Sequence, residues 1–414
     1  MTFANSRIIS GKGVAAVPKI LWIALAFTFP LFSVEWFRVV IGSYIAIPTI
    51  VMIFITYAGF LIVFKQGRIR VKADPGILLI LILCLFWLCH LIGFTRAINM
   101  QMAFLELLKV TFGFLCMWTI VQWFPKDGNF QKKFWFIVIF SSTTLMVYLI
   151  YLYMFVYHIS FLGNKLTSEV VNYRGNIGLM GDYRWGRNML SFYLSLVIPF
   201  AIAFLLLEKA KGALNLLMII CNLILMAAWI YVGSRAAWIS VICGSIVMIY
   251  STRRFRKTSY LIRKFIFFLF MGLVGYWILV LFVGELESYR RFIFLFDPQS
   301  IPELNSYEAR GSLILEGLKL ALEMPIFGVG LTNVKMKLGL WPHNDYVAIL
   351  GDMGIVGLGL FLSLLGMLLA RVWSIDSRGN REIPYTSLGK QGALVSTLVF
   401  LFFSDTYTIV PFWI

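Results

Sequence analysis

Three short polar stretches follow one another late in an otherwise apolar chain: Glu308-Ala309-Arg310, then Pro325-Ile326-Phe327-Gly328-Val329-Gly330, then Pro342-His343-Asn344-Asp345-Tyr346. An imidazole titrates near neutral pH, so His343 can act as a general base toward a hydroxyl, with Asn344 or Asp345 to orient it. The same histidine also reads as a surface or packing residue. Of the other two histidines, His90 falls within an apolar run and His158 at the end of one. His343 has no second histidine nearby, and Asp345 and Asp352 supply few ligands, so the region does not read as a metal site. Arginine is the second residue type with chemistry to offer. Its planar fork of donors fits phosphate oxygens in a way lysine cannot copy. Arg310 shares that potential with Arg235, in Gly233-Ser234-Arg235, and with Arg174, Arg184 and Arg187. Taken singly, each of these arginines equally suits an interfacial anchor or a partner for Glu169, Asp182 or Glu308.

The elements that must position these residues follow from periodicity and breakers. Asn305 followed by Glu308 reads as a helix start. From Ser306 to Met324, Leu313, Ile314, Leu318, Ala321 and Leu322 form an apolar side, and Pro325 stops the helix. The segment is therefore expected to be an amphipathic surface helix resting on lipid or on the rest of the protein, with Arg310 in its first two turns. Gly328-Val329-Gly330 lacks the context of a nucleotide fingerprint and reads as a turn that brings the chain back toward the apolar body.

That body is a membrane domain. Sixty per cent of the 414 residues are hydrophobic and only 13% are charged, a balance that excludes a soluble domain of this length. Apolar runs of about 20 residues span a bilayer as helices. Such runs occur near 18–34, 41–64, 76–94, 102–123, 134–157, 188–207, 213–232, 236–251, 265–284, 347–370 and 391–404. The expectation is an all-α, polytopic integral membrane helix bundle of about 11–12 transmembrane helices, one membrane domain over 1–414 with two long outer loops, about 158–187 and 285–346. The second loop carries the polar cluster.

The net charge of +17 suggests nucleic acid until its distribution is traced. With the N-terminus in the cytoplasm, the basic clusters at 65–72, 126–133, 209–211, 253–264 and 371–390 all fall on the inner side, which takes the whole excess. The charge then reports orientation, and no nucleic-acid partner is needed. No removable leader is expected, so the first span stays as an anchor. The C-terminus is expected outside, as a short re-entrant or interfacial tail or short of a final helix. The five cysteines, Cys84, Cys89, Cys116, Cys221 and Cys243, all lie in apolar runs and suit helix packing. Glu106 and Lys109, three residues apart within a span, read most economically as a structural ion pair.

Gly233-Ser234-Arg235-Ala236-Ala237-Trp238, Tyr307-Glu308-Ala309-Arg310, Pro325 to Gly330, and His343-Asn344-Asp345-Tyr346 leading into Gly351-Asp352-Met353-Gly354-Ile355-Val356-Gly357 together resemble the shared core of the O-antigen ligase and O-antigen polymerase family. The resemblance is best over roughly 230–370, and order and spacing carry it rather than any one piece. It implies a metal-independent glycosyltransferase without cofactor that takes a glycan from undecaprenyl diphosphate at the periplasmic face of a bacterial inner membrane. By position, Arg235 and Arg310 match the arginines that hold the diphosphate, and His343 matches the histidine that activates the acceptor hydroxyl. Arg184 or Arg187 stands where a further basic residue is expected, although the local sequence departs from the family pattern there.

Within that resemblance the ligase, with lipid A-core as acceptor, is favoured by the compact outer loops and by the Asn-Asp-Tyr that follows the histidine. A polymerase extending undecaprenyl-linked repeat units shares the same motifs. From another class, a transporter or lipid flippase would place polar residues near the bilayer midplane and show repeated halves. No internal repeat stands out, and the polar cluster lies outside the apolar runs.

Overall fold

A computed structural model of the chain describes residues 17–30, 38–39, 45–66, 76–125, 127–151, 184–207, 212–232, 234–252, 258–283, 304–374 and 384–403. Over these the protein is helical apart from a two-residue antiparallel ladder, Arg38–Val39 with Ile45–Ala46. The helices are α1 (Lys19–Thr28), α2 (Ile47–Gln66), α3 (Gly76–Phe94), α4 (Met100–Trp123), α5 (Gly128–Tyr151), α6 (Arg184–Leu207), α7 (Ala213–Val232), α8 (Arg235–Thr252), α9 (Thr258–Val283), α10 (Leu304–Glu323), α11 (Asn333–Leu338), α12 (Asp345–Ser374) and α13 (Tyr385–Phe400). A helix stands at each of the eleven expected spans, and α10 stands where the amphipathic helix was expected. Among the described residues, six helices are long and apolar enough to cross a membrane. The polytopic helical architecture is therefore as read from composition.

The core forms around α6, which packs against α5, α7, α8 and α13. From Phe192 to Leu206 its side chains are buried almost without a break, Phe192, Tyr193, Leu194 and Val197 among them. A helix that is apolar all round must be enclosed on every side. The closest packing is between α8 and α13. A side chain on Gly244 would run into Ser396 Oγ and the Gly392 carbonyl, and Ser396 Oγ donates to Ser240 O at 3.0 Å. Small residues let two backbones approach where apolar side chains have no water to flee. A second cluster joins α3 to α12 through Leu79, Leu83 and Phe86 against Phe361, Leu364 and Leu365.

Polar contacts tie α1, α5 and α13 together at one end of the bundle. There, Lys19 Nζ lies 3.5 Å from the Asp127 carboxylate, Lys390 Nζ donates to Gln131 Oε1 at 3.1 Å, and Tyr385 Oη donates to Lys132 O at 2.8 Å. The Asp127 carboxyl is held below the usual carboxylate range, first by the Asn129 N–H and then by Lys19. The residues gathered here are those the charge count assigns to one side. α13 starts earlier than the apolar run at 391–404, so Lys390 lies within the helix rather than before it. Its polar first turns, Thr386, Ser387 and Gln391, are buried. The opposite end holds the start of α8, the α3–α4 turn and everything from α10 to the start of α12.

Candidate functional site

α10 presents three stripes. Leu313, Ile314, Gly317, Leu320 and Ala321 turn inward, and a methyl on Gly317 would come within 2.8 Å of Val347 Cγ1 and 3.7 Å of Pro342 Cβ. Helix and His343 turn are thus in contact through the glycine. Arg310 is exposed and lies two turns before Gly317 on the same stripe, so it extends that inner face past the point of contact. Glu316, Lys319 and Glu323 form an exposed polar stripe, and Glu323 pairs with Lys337 at 2.7 Å. Leu315, Leu318 and Leu322 form the third, apolar and exposed. The apolar set expected from sequence is therefore split: Leu313, Ile314 and Ala321 pack inward, whereas Leu318 and Leu322 face away.

Pro325–Gly330 does more than return the chain. α12 is interrupted at Gly354, whose φ of 68° and ψ of −168° lie outside helical space, in a region open essentially to glycine alone. The interruption frees backbone groups, and the 325–330 strap satisfies them. Val329 N donates to Gly351 O at 2.9 Å and Gly330 N to Asp352 O at 3.1 Å; Ile355 N donates to Pro325 O at 2.8 Å and Val356 N to Ile326 O at 3.3 Å. Gly328 (φ 70°) and Gly330 (φ 115°) are required because a side chain on Gly328 would collide with the Asp352–Met353 peptide, and one on Gly330 with Arg96 and Asn333. The break also divides the span. Residues 355–373 cover about 28 Å at 1.5 Å per residue, close to the about 30 Å of a hydrocarbon core. Asp345 and Asp352, both fully buried, belong to the short segment before the break.

Asp352 holds the strap to α11. Its carboxylate accepts from Thr332 N and from Val334 N, each at 2.9 Å. Asn333 links the same point to the α3–α4 turn: its Nδ2 donates to Arg96 O at 2.9 Å and Val329 O at 2.7 Å, and its Oδ1 accepts from Ile98 N at 2.8 Å. Leu331 N adds a bond to Gly93 O at 2.9 Å. The chain then runs through buried Trp341 to His343, which is half-buried and has φ of 52°. Among the described residues only His343 and Thr332 are non-glycines at positive φ, an arrangement that costs energy and persists where surroundings enforce it. Here they do. Asn344 caps α12, its Oδ1 accepting from Val347 N at 3.1 Å, and Tyr346 Oη donates to Leu398 O at 3.0 Å. The Asn344 oxygen expected to orient His343 is thus engaged with the helix, and Asp345 is buried in the first turn.

Tyr346 also brings Arg235 to the same end. α13 runs antiparallel to α8, so its last turn, bonded to Tyr346 at Leu398, lies beside the start of α8 beyond Ser240. Arg235 opens α8 and is half-buried, and Trp238 Nε1 in the next turn donates to Trp229 O at 3.3 Å. The starts of α8 and α12 and the inner stripe of α10 thus lie toward one end of the bundle. Arg184 and Arg187 lie in the first turn of α6; Arg174 falls outside the described residues. Glu106 and Lys109 form the expected ion pair, Nζ to Oε1 2.7 Å.

Sequence reasoning did not single out Arg96, Asn333, Asp352 or Gly354 as positioning residues. Only Gly354 left a signal, a glycine between Gly351 and Gly357 in an apolar run. No curated protein matches the chain. A family model described as O-Antigen ligase matches residues 217–362, a stretch that contains Arg235, Arg310, the 325–330 strap, His343 and the broken start of α12. Residues 217–362, the stretch that builds this end of the bundle, are thus similar to the O-antigen ligase family, and that similarity supports a function of the O-antigen ligase and polymerase type.

Proposed function

We propose that the protein transfers a glycan from undecaprenyl diphosphate to the lipid A-core of lipopolysaccharide at the periplasmic face of a bacterial inner membrane. The observation that carries this reading is the contact of the Arg310 helix with the His343 turn through Gly317, inside the segment matched by the family model. Arg235 and Arg310 bind the diphosphate, and Arg174, Arg184 and Arg187 add positive charge for the same substrate. Cleavage of the anomeric carbon–oxygen bond leaves negative charge on the diphosphate, which two guanidinium groups stabilise. His343 takes the proton from the acceptor hydroxyl as that oxygen attacks the anomeric carbon from the opposite side. One displacement inverts the anomeric centre. The positive-inside distribution supports a cytoplasmic N-terminus and a periplasmic site.

Purified protein supplied with undecaprenyl-diphosphate-linked glycan, with and without lipid A-core, tests the reading. Glycan on lipid A-core is the expected product. A ladder growing on the undecaprenyl carrier would replace the ligase by the polymerase, and no transfer with either acceptor would sink both. His343→Ala is expected to lower turnover about 10²–10⁴-fold, the usual contribution of a positioned general base; wild-type turnover would remove His343 from the chemistry.

A further inference from the structure

The outward stripe of α10 has no counterpart in the transfer chemistry. Leu322 is 78% exposed, and Leu315, Leu318, Met324, Ile326 and Phe327 continue the same apolar surface through the strap. A patch this continuous needs a covering phase. Its position identifies the phase. The strap is hydrogen-bonded to Ile355 and Val356, the first residues of the part of α12 long enough to cross the hydrocarbon, and Ile355 itself is 63% exposed with Leu362 exposed two turns further on. On its other flank the patch reaches α4. The Arg96 guanidinium lies 5.9 Å over the Phe327 ring, and beyond it Ile98, Met100 and Phe104 are exposed at the start of that span. The patch is therefore bounded on two sides by the outer faces of membrane-spanning helices. The polar stripe of Glu316, Lys319 and Glu323 marks where water begins.

We propose that α10 is an interfacial helix, with Leu315, Leu318 and Leu322 and the strap residues Ile326 and Phe327 seated among the acyl chains of the leaflet at this end of the bundle. Its inner stripe packs on Pro342 and Val347 beside the His343 turn. The stripe geometry follows the rule for helices that lie in an interface, with apolar residues toward the tails and a charged flank toward water. The Arg96 guanidinium, over the Phe327 ring, then stands at headgroup level, where a cation with an apolar collar is stable. This surface does not depend on which acceptor the enzyme uses.

A photoreactive benzoyl-phenylalanine placed at Leu322, Phe327, Glu316 or Phe104 in the full chain, irradiated in nanodiscs of phosphatidylethanolamine and phosphatidylglycerol, reads out the neighbour by intact mass. Phe104, on a span, is the positive control. Phospholipid adducts at Leu322 and Phe327 in yields comparable to Phe104, with none at Glu316, are expected. Cross-linked dimer at Leu322 would show instead that a second copy covers the stripe. Absence of lipid adduct at Leu322 and Phe327 while Phe104 reacts would place the stripe in water or against protein. Either result overturns the proposal.

Discussion

At the level of single residues, the site end depends on side chains that hold backbone rather than touch substrate. Asp352 is the clearest case, because its two oxygens accept the buried backbone N–H groups of Thr332, the residue before α11, and of Val334 within it. Removing them leaves two donors without partners, each costing about 1–3 kcal/mol. Asp352→Ala is therefore expected to lower the thermal unfolding midpoint in detergent by several degrees, whereas His343→Ala leaves it near wild type; equal midpoints for the two variants would contradict the capping role. Arg310 makes the opposite case. It is exposed, and Arg310→Lys keeps the charge but loses the planar fork. Its expected effect is on transfer and donor binding, measured as a raised KM for the undecaprenyl-linked glycan with an unchanged unfolding midpoint.

At the level of elements, the break in α12 is the device on which the site is built. A continuous helix would leave Pro325–Gly330 without partners and would remove the short segment that carries Asp345, Tyr346 and Asp352. Gly354→Ala forces a side chain into backbone conformation open essentially to glycine, a cost of about 1–3 kcal/mol, and drives that side chain into the Ile326 carbonyl. Gly359→Ala, one turn and a half further along, meets open space and gains helix propensity of up to about 1 kcal/mol. The pair makes a matched test: folded yield and unfolding midpoint are expected to fall for Gly354→Ala and to hold or rise for Gly359→Ala. If both behave alike, the strap is not what keeps the helix open.

Across the whole molecule, the two ends are held by different sets of polar contacts: one by Lys19, Lys132 and Lys390, the other, which carries the candidate site, by Asn333, Asp352 and Tyr346. The proposed orientation makes a direct prediction. In cells with a permeabilised outer membrane, Leu340→Cys, exposed beside the site, is expected to react with a membrane-impermeant maleimide, and Lys132→Cys only after the inner membrane is opened. The reverse pattern would turn the protein over. The five native cysteines all lie within helices of the bundle and form the background against which both are read.

Composition and run length were enough to establish a polytopic helical bundle and the positions of its helices, because lipid demands local satisfaction of backbone hydrogen bonds and so writes each span as one continuous apolar run. The motif order from Gly233 to Gly357 was enough for the family resemblance, since it depends on residues near one another in the chain. Tertiary structure decided the rest. That Leu318 and Leu322 face away while Gly317 packs inward, that Asn344 caps a helix, and that Asp352 reaches back to Thr332 and Val334 all follow from partners distant in sequence, which no local periodicity encodes. The broken helix is the sharpest instance: Gly354 alone reads as one more glycine in an apolar run, and only the strap bonded across it turns that glycine into the pivot of the site.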